Sequence, residues 1–304
     1  MITIFSYIQE FLDSKQIKSN TQNLYKFTFK SFKEWWDKYK EGKNYITEED
    51  IFEYKYYLQM KGLNESYIAQ KLNKIRIYIQ YLEDKNIQNN PIKDIKISKS
   101  NKKHKRDALS VKQSNMLLES VETTTIKGKR DFAIINLMIH TGLRTCEVRN
   151  IDIEDIRDGI LYILGKGRDS KDEFVVLTPE TEKPIRDYLE CLAKYKEIKN
   201  TDPLFLSLGS SAKGRKFDRL SLRNIHTIIK KRINFIGIYD NRITPHSLRH
   251  TAITLALQAG ASIIQVQAMA RHKDIATTMV YAHNLTRIED AAEKRINKIL
   301  CLRE

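Results

Sequence analysis

His246-Ser247-Leu248-Arg249-His250, followed twenty residues on by Ala270-Arg271-His272 and nine after that by Tyr281, is the stretch from which this 304-residue chain is best read. Two shorter boxes precede it: Thr141-Gly142-Leu143-Arg144, with Glu147 three residues later, and Leu164-Gly165-Lys166-Gly167. Six of these residues, Arg144, Lys166, His246, Arg249, His272 and Tyr281, make a poor core and a good phosphodiester site. A guanidinium presents a planar fork of donors matched to phosphate oxygens and keeps its proton at neutral pH. A pair of them can hold both non-bridging oxygens and offset the charge of a five-coordinate transition state. A phenol oxygen becomes a nucleophile when a neighbour takes its proton.

Local signals place each of these residues. Arg144 follows an apolar helical run, residues 132–139, and Gly142, so it sits where one helix stops and another starts, with Glu147 as its structural partner. Thr244 and Pro245 open a helix, and a spacing of three puts His246 and Arg249 on one face of it, near an N-terminus that favours anions. His250, beside Arg249, reads as a packing or capping residue. Lys166 sits in a glycine-flanked turn between β-rich segments, residues 160–164 and 174–177, a hairpin by composition; Arg168 and Lys171 are its nearest rivals. Asp274 reads as a cap between two short helices that carry His272 and Tyr281.

At these positions the chain resembles the tyrosine recombinases, the lambda-integrase or Xer-like site-specific recombinases. Their order of Arg, Lys, His-x-x-Arg, His, Tyr falls on Arg144, Lys166, His246 with Arg249, His272 and Tyr281. One departure is visible: the family usually has glycine before the second histidine, and this chain has Arg271, which is expected to alter the turn. The resemblance implies a mainly α fold with a small β-sheet in the C-terminal domain, forming a two-domain clamp round double-stranded DNA. It further implies a 3′-phosphotyrosyl intermediate at Tyr281, a Holliday junction and a homotetramer on paired sites. Lys166 would protonate the departing 5′ oxygen, with His246 as base and the arginines and His272 stabilising the phosphoryl group. No cofactor and no metal enter this scheme. The nearest acidic set, Asp152, Glu154 and Asp155, reads as a solvated loop. The alternatives are a type IB topoisomerase-like enzyme and a non-catalytic DNA-binding protein of the same fold; six catalytic-type residues in order argue against the second.

The rest of the chain agrees. A formal charge of +15 favours a polyanionic partner. Residues 1–90 are nearly balanced in charge and read as four amphipathic helices, near 3–14, after Ser19-Asn20-Thr21 with Leu24, Phe27, Phe32, Trp35 and Trp36, after Thr47, and over 64–83. The tryptophans read as core. Between Pro91 and Arg106 seven basic residues face Asp94 alone. The expected organisation is a helical core-binding (SAM-like) DNA-binding domain over 1–95, a basic linker over 96–107 and a catalytic domain over 108–304. The linker is expected to touch phosphates through Lys102, Lys103, Lys105 and Arg106. Further helices are expected at 181–195, 221–237, 245–258 and 262–269, and an amphipathic tail at 287–300 that packs on its own domain or, as the resemblance implies, docks on a neighbouring subunit. Three scattered cysteines, Cys146, Cys191 and Cys301, suggest reduced thiols. With no signal peptide and no apolar run of membrane length, the expected location is cytoplasmic.

Overall fold

The computed structural model describes residues 3–15, 19–93, 108–165, 169–209 and 217–282. Lys166, Lys102, Lys103, Lys105, Arg106, Cys301 and the tail at 287–300 lie outside them. The chain divides into two compact units, Met1–Lys105 and Arg106–Glu304.

In the first unit a 3-10 turn (Ile4–Tyr7) leads into α1 (Ile8–Ser14), α2 (Ser19–Tyr39), α3 (Glu48–Met60) and α4 (Glu65–Asp84). The starts follow local chemistry. The Thr47 hydroxyl accepts from the Asp50 N–H while Asp50 accepts from the Thr47 N–H, a reciprocal cap, and Asn64 Oδ1 accepts from the Tyr67 N–H at 2.8 Å. Phe11, Phe29, Phe32, Trp35, Trp36, Tyr54 and Tyr78 fill the core, largely in edge-to-face contacts such as Phe32 on Tyr54 at 4.8 Å. Leu24 and Phe27 are not part of it: they are 58% and 60% exposed. Helix α2 carries two apolar stripes, and the one with Phe29, Phe32 and Trp36 is buried.

The second unit comprises α5 (Val111–Glu119), α6 (Ile126–Thr141), α7 (Thr145–Arg149), β1 (Ile156–Arg157), β2 (Ile160–Ile163), β3 (Glu173–Val176), α8 (Pro179–Ala193), α9 (Leu222–Phe235), α10 (Pro245–Gln258), α11 (Ile263–Ala270) and α12 (Ile275–Ala282). Helix α6 is the hub. Ala133, Ile134, Ile135, Leu137 and Met138 are all buried, and both α8 and α10 pack on it. The strands form one antiparallel sheet in the order β1-β2-β3, with Leu161 opposite Val175 and Ile163 opposite Glu173. The fold is therefore mainly α with a small sheet. Strand β1 was not evident from composition, being two residues long.

The acidic set is not a solvated loop. Asp155 is 5% exposed, and Lys171 Nζ binds Asp152 at 2.8 Å and Asp155 at 2.5 Å, while Arg219 binds Asp152 at 2.5 Å. These partners are distant in sequence, which hid the network. It also occupies Lys171, the rival to Lys166. Among the described residues no cluster of three or more His, Cys, Asp or Glu side chains has the spacing to hold a metal ion, and no helix is long and apolar enough to cross a membrane. Cys146 and Cys191 are free thiols.

Candidate active site

The site starts at the end of α6. Gly142 takes a left-handed conformation, φ +64°, and its N–H closes on the Met138 carbonyl at 3.0 Å, ending the helix as glycine does best. The carbonyl of that same glycine accepts a 2.7 Å hydrogen bond from Arg249 Nη1. Arg249 Nη2 donates to the Ala270 carbonyl at the end of α11. A single guanidinium, 2% exposed, thus ties α10 to the ends of α6 and α11. Burial first, then repulsion from Arg144 and Arg271, pushes Arg249 down to about 10, which still leaves it charged at neutral pH.

Two residues past Gly142, Arg144 caps α7. Its N–H donates to Glu147 Oε2 at 2.8 Å and its Nη1 to Oε1 at 2.6 Å. The arginine side chain is 25% exposed and the Glu147 side chain 0%. Burial alone would raise the Glu147 carboxyl; Arg271 and Arg144 overcome that and hold it below the usual carboxylate value. Arg144 is therefore anchored from below with part of its surface open.

At the end of α11 the expected change of turn does not occur. Arg271 adopts φ +53° and ψ +46°, the conformation a glycine would take, at a cost of about 1 kcal/mol. The His272 N–H closes back on the Gln267 carbonyl at 3.1 Å, the wide bond of a Schellman turn. Arg271 turns inward to bind Glu147 Oε2 at 2.9 Å. His272 is fixed by a 2.9 Å hydrogen bond between its Nδ1 and the buried Thr278 hydroxyl. Burial, then Arg249, Arg144 and Arg271, push His272 down to about 4, so it is neutral at neutral pH.

Asp274 Oδ1 accepts from the Ala276 N–H at 2.9 Å and starts α12, which carries Tyr281 back over α10 and α11. The phenol oxygen lies 2.5 Å from His250 Nδ1. The two rings stack at 5.2 Å, and His272 stacks on Tyr281 at 6.3 Å. His246 stands edge-on to His250 at 4.8 Å. Arg144, Arg249, His246, His272 and Tyr281 thus come together, while Lys166 lies outside the described residues. The sequence reading missed His250 and Arg271. The signal for His250 was its place four residues after His246, on the same helical face; for Arg271 it was the non-glycine at a glycine position.

A mainly helical unit that gathers guanidiniums, imidazoles and a phenol at one place has the make-up of a protein that handles phosphodiesters. A profile described as the phage integrase family matches residues 107–287. The chain is 31% identical to a tyrosine recombinase XerC of Caldanaerobacter subterraneus over 218 residues, 71% of this chain and 58% of that one. It is 30% identical to a tyrosine recombinase XerD of Staphylococcus epidermidis, covering 91% of this chain and 93% of that one. Among solved structures it is similar to XerH recombinase bound to palindromic difH substrate, with a TM-score of 0.73, 20% identity and coverage of 98% and 84%. It is also similar to a lambda integrase dimer bound to a COC′ core site, with a TM-score of 0.67, 15% identity and coverage of 91% and 97%. The chain belongs to the phage integrase family, that of the tyrosine recombinases.

Proposed function

We propose that this protein is a site-specific recombinase that cuts and rejoins double-stranded DNA through a 3′-phosphotyrosyl link at Tyr281. The observation that carries this reading is the meeting of Tyr281 with His250 and His272, with Arg249 close enough to act on Tyr281 and His272 and Arg144 on His272. The relatives cited are named as recombinases, and no observation favours the topoisomerase alternative.

In this reading Arg144 and Arg249 take the non-bridging oxygens of the scissile phosphate. Its arrival would draw Arg249 partly away from the Gly142 and Ala270 carbonyls. His272 is neutral, and in the tautomer whose Nδ1 accepts from Thr278 it donates from Nε2 without adding charge. As Tyr281 Oη bonds to phosphorus its proton passes to Nδ1 of His250, and the bond from phosphorus to the 5′ oxygen breaks. The sequence reading gave the proton to His246; the 2.5 Å contact favours His250, with His246 backing its ring. The family resemblance assigns Lys166 to protonate the departing 5′ oxygen. Rejoining is the reverse: a 5′ hydroxyl attacks the phosphotyrosine and Tyr281 leaves with the proton from His250. The ester conserves the bond energy, so the scheme calls for no nucleotide, metal or other cofactor.

Strand exchange passes through a Holliday junction in a homotetramer on paired sites, in the cytoplasm. Residues 1–95 form the core-binding domain, 108–304 the catalytic domain, and the linker, 96–107, touches phosphates. A nicked suicide substrate, which loses its short 5′ fragment after cleavage, tests the proposal. The expected product is a covalent adduct whose peptide map ends on Tyr281; no adduct, or one on another residue, rejects it.

A further inference from the structure

Residue 271 stands where the backbone favours glycine, and the side chain there is a long cation folded beneath the site. Arg271 is 5% exposed. Its Nη1 donates to the Met269 carbonyl at 2.6 Å and its Nη2 to Glu147 Oε2 at 2.9 Å. Its Nε lies 3.7 Å from Glu173 Oε2, at the start of β3. A residue that only closed a turn would extend its charged end into water, as arginines at surfaces do. This one is buried against the carboxylate that also anchors Arg144.

Glu147 is thereby shared. Oε1 accepts from Arg144 Nη1, and Oε2 accepts from both the Arg144 N–H and Arg271 Nη2. Arg271 is in turn near a second carboxylate, Glu173, so Glu147 is shared without giving up its contacts with Arg144. With both oxygens held, the carboxylate cannot rotate, and neither can the arginine it anchors. Rigid support of this kind decides whether a phosphate ligand sits in its productive place or adrift by an ångström.

We propose that Arg271 is a positioning residue for strand cleavage, holding Glu147 in place against Arg144 and so fixing that guanidinium where it meets the scissile phosphate. This rests on the reading of Arg144 as a phosphate ligand.

The test is a cycle in the full-length protein: wild type, Arg271→Gly, Arg144→Ala and the double variant, with Arg271→Lys alongside. Adduct formation on the suicide substrate is timed at saturating DNA, with DNA affinity and thermal midpoint measured in parallel. Glycine suits the backbone at 271, so Arg271→Gly should fold and bind DNA within about twofold of wild type. Its cleavage rate should fall by about tenfold or more, and Arg271→Lys should recover part of that loss. In the Arg144→Ala background, removing Arg271 should cost less than about threefold, because the residue it acts through is gone. Cleavage by Arg271→Gly at the wild-type rate overturns the proposal. An equal loss in both backgrounds also overturns it, since that marks a general disturbance. A wild-type protein that forms no adduct rejects the phosphotyrosine reading, and this inference with it.

Discussion

Tyr281 and His250, thirty-one residues apart in the chain, share a hydrogen bond of 2.5 Å between the phenol oxygen and Nδ1. Helix α12 brings them together by laying Tyr281 over α10, where His250 is 6% exposed. The contact sets an imidazole nitrogen within hydrogen-bond reach of the proposed nucleophile. Stacking with His250 at 5.2 Å and His272 at 6.3 Å helps fix the direction in which the phenol oxygen points.

Tyr281→Phe should abolish adduct formation and leave DNA affinity within about twofold, because it deletes the attacking oxygen and no proposed phosphate contact. Gel-shift binding and adduct formation on the same nicked duplex separate the two effects. Adduct formation by the Phe variant would remove Tyr281 from its role.

His250→Ala should slow adduct formation by about 10²-fold or more, the usual worth of a positioned general base, without weakening DNA binding in proportion. The comparison that decides between the two imidazoles is His246→Ala measured alongside it. A larger loss at His246 than at His250 would return the proton to His246.

Arg144→Ala and Arg249→Ala should each slow cleavage by about 10²-fold or more, as expected for lost transition-state donors. Their effects on stability should differ. Arg249→Ala leaves the Gly142 and Ala270 carbonyls without this donor, at about 1–3 kcal/mol. Arg144 is a quarter exposed, and Glu147 keeps Arg271 when it is removed. Denaturant titration of both variants should therefore rank Arg249→Ala as the less stable.

The pH dependence of stability should carry the mark of His272. Its pKa in the folded protein is about 4, against an ordinary histidine value of 6.5. Between these limits the unfolded chain binds a proton that the folded one refuses, so acid favours unfolding. The contribution is fully present above pH 6.5 and is lost progressively as pH falls towards 4. His272→Asn should flatten the fall in unfolding free energy over that window. An unchanged slope would show that His272 titrates normally in the folded protein.

Much of this architecture could be read from local chemistry. Gly142 stops α6, Pro245 starts α10, and Ser110, Ser221 and Ser262 cap α5, α9 and α11, all signals contained in a few adjacent residues. What escaped was set by partners far along the chain. His250 gains its meaning from Tyr281, and Asp152 and Asp155 gain theirs from Lys171 and Arg219. For Arg271, a left-handed arginine looked costly until the buried carboxylate that offsets it, 124 residues away, was in view. On α2 the periodicity marks a helix but cannot say which of two apolar stripes meets a neighbour, and Leu24 and Phe27 fall on the exposed one.

Residues 91–106 carry seven lysines and arginines against Asp94, a density of like charge that is relieved by binding a polyanion. Each phosphate contact releases counterions, so affinity should fall with salt at a slope of about 0.9 per contact. Changing Lys102, Lys103, Lys105 and Arg106 together to Gln should weaken binding to cognate and random duplexes by similar factors. The slope should drop by about 0.9 for every contact these side chains make, so the size of the drop counts them. The rate of adduct formation at saturating DNA should stay near wild type, since none of the four belongs to the proposed catalytic set. Unchanged affinity and unchanged slope would reduce the segment to a tether, while loss of discrimination between cognate and random DNA would show that it reads base edges as well as phosphates.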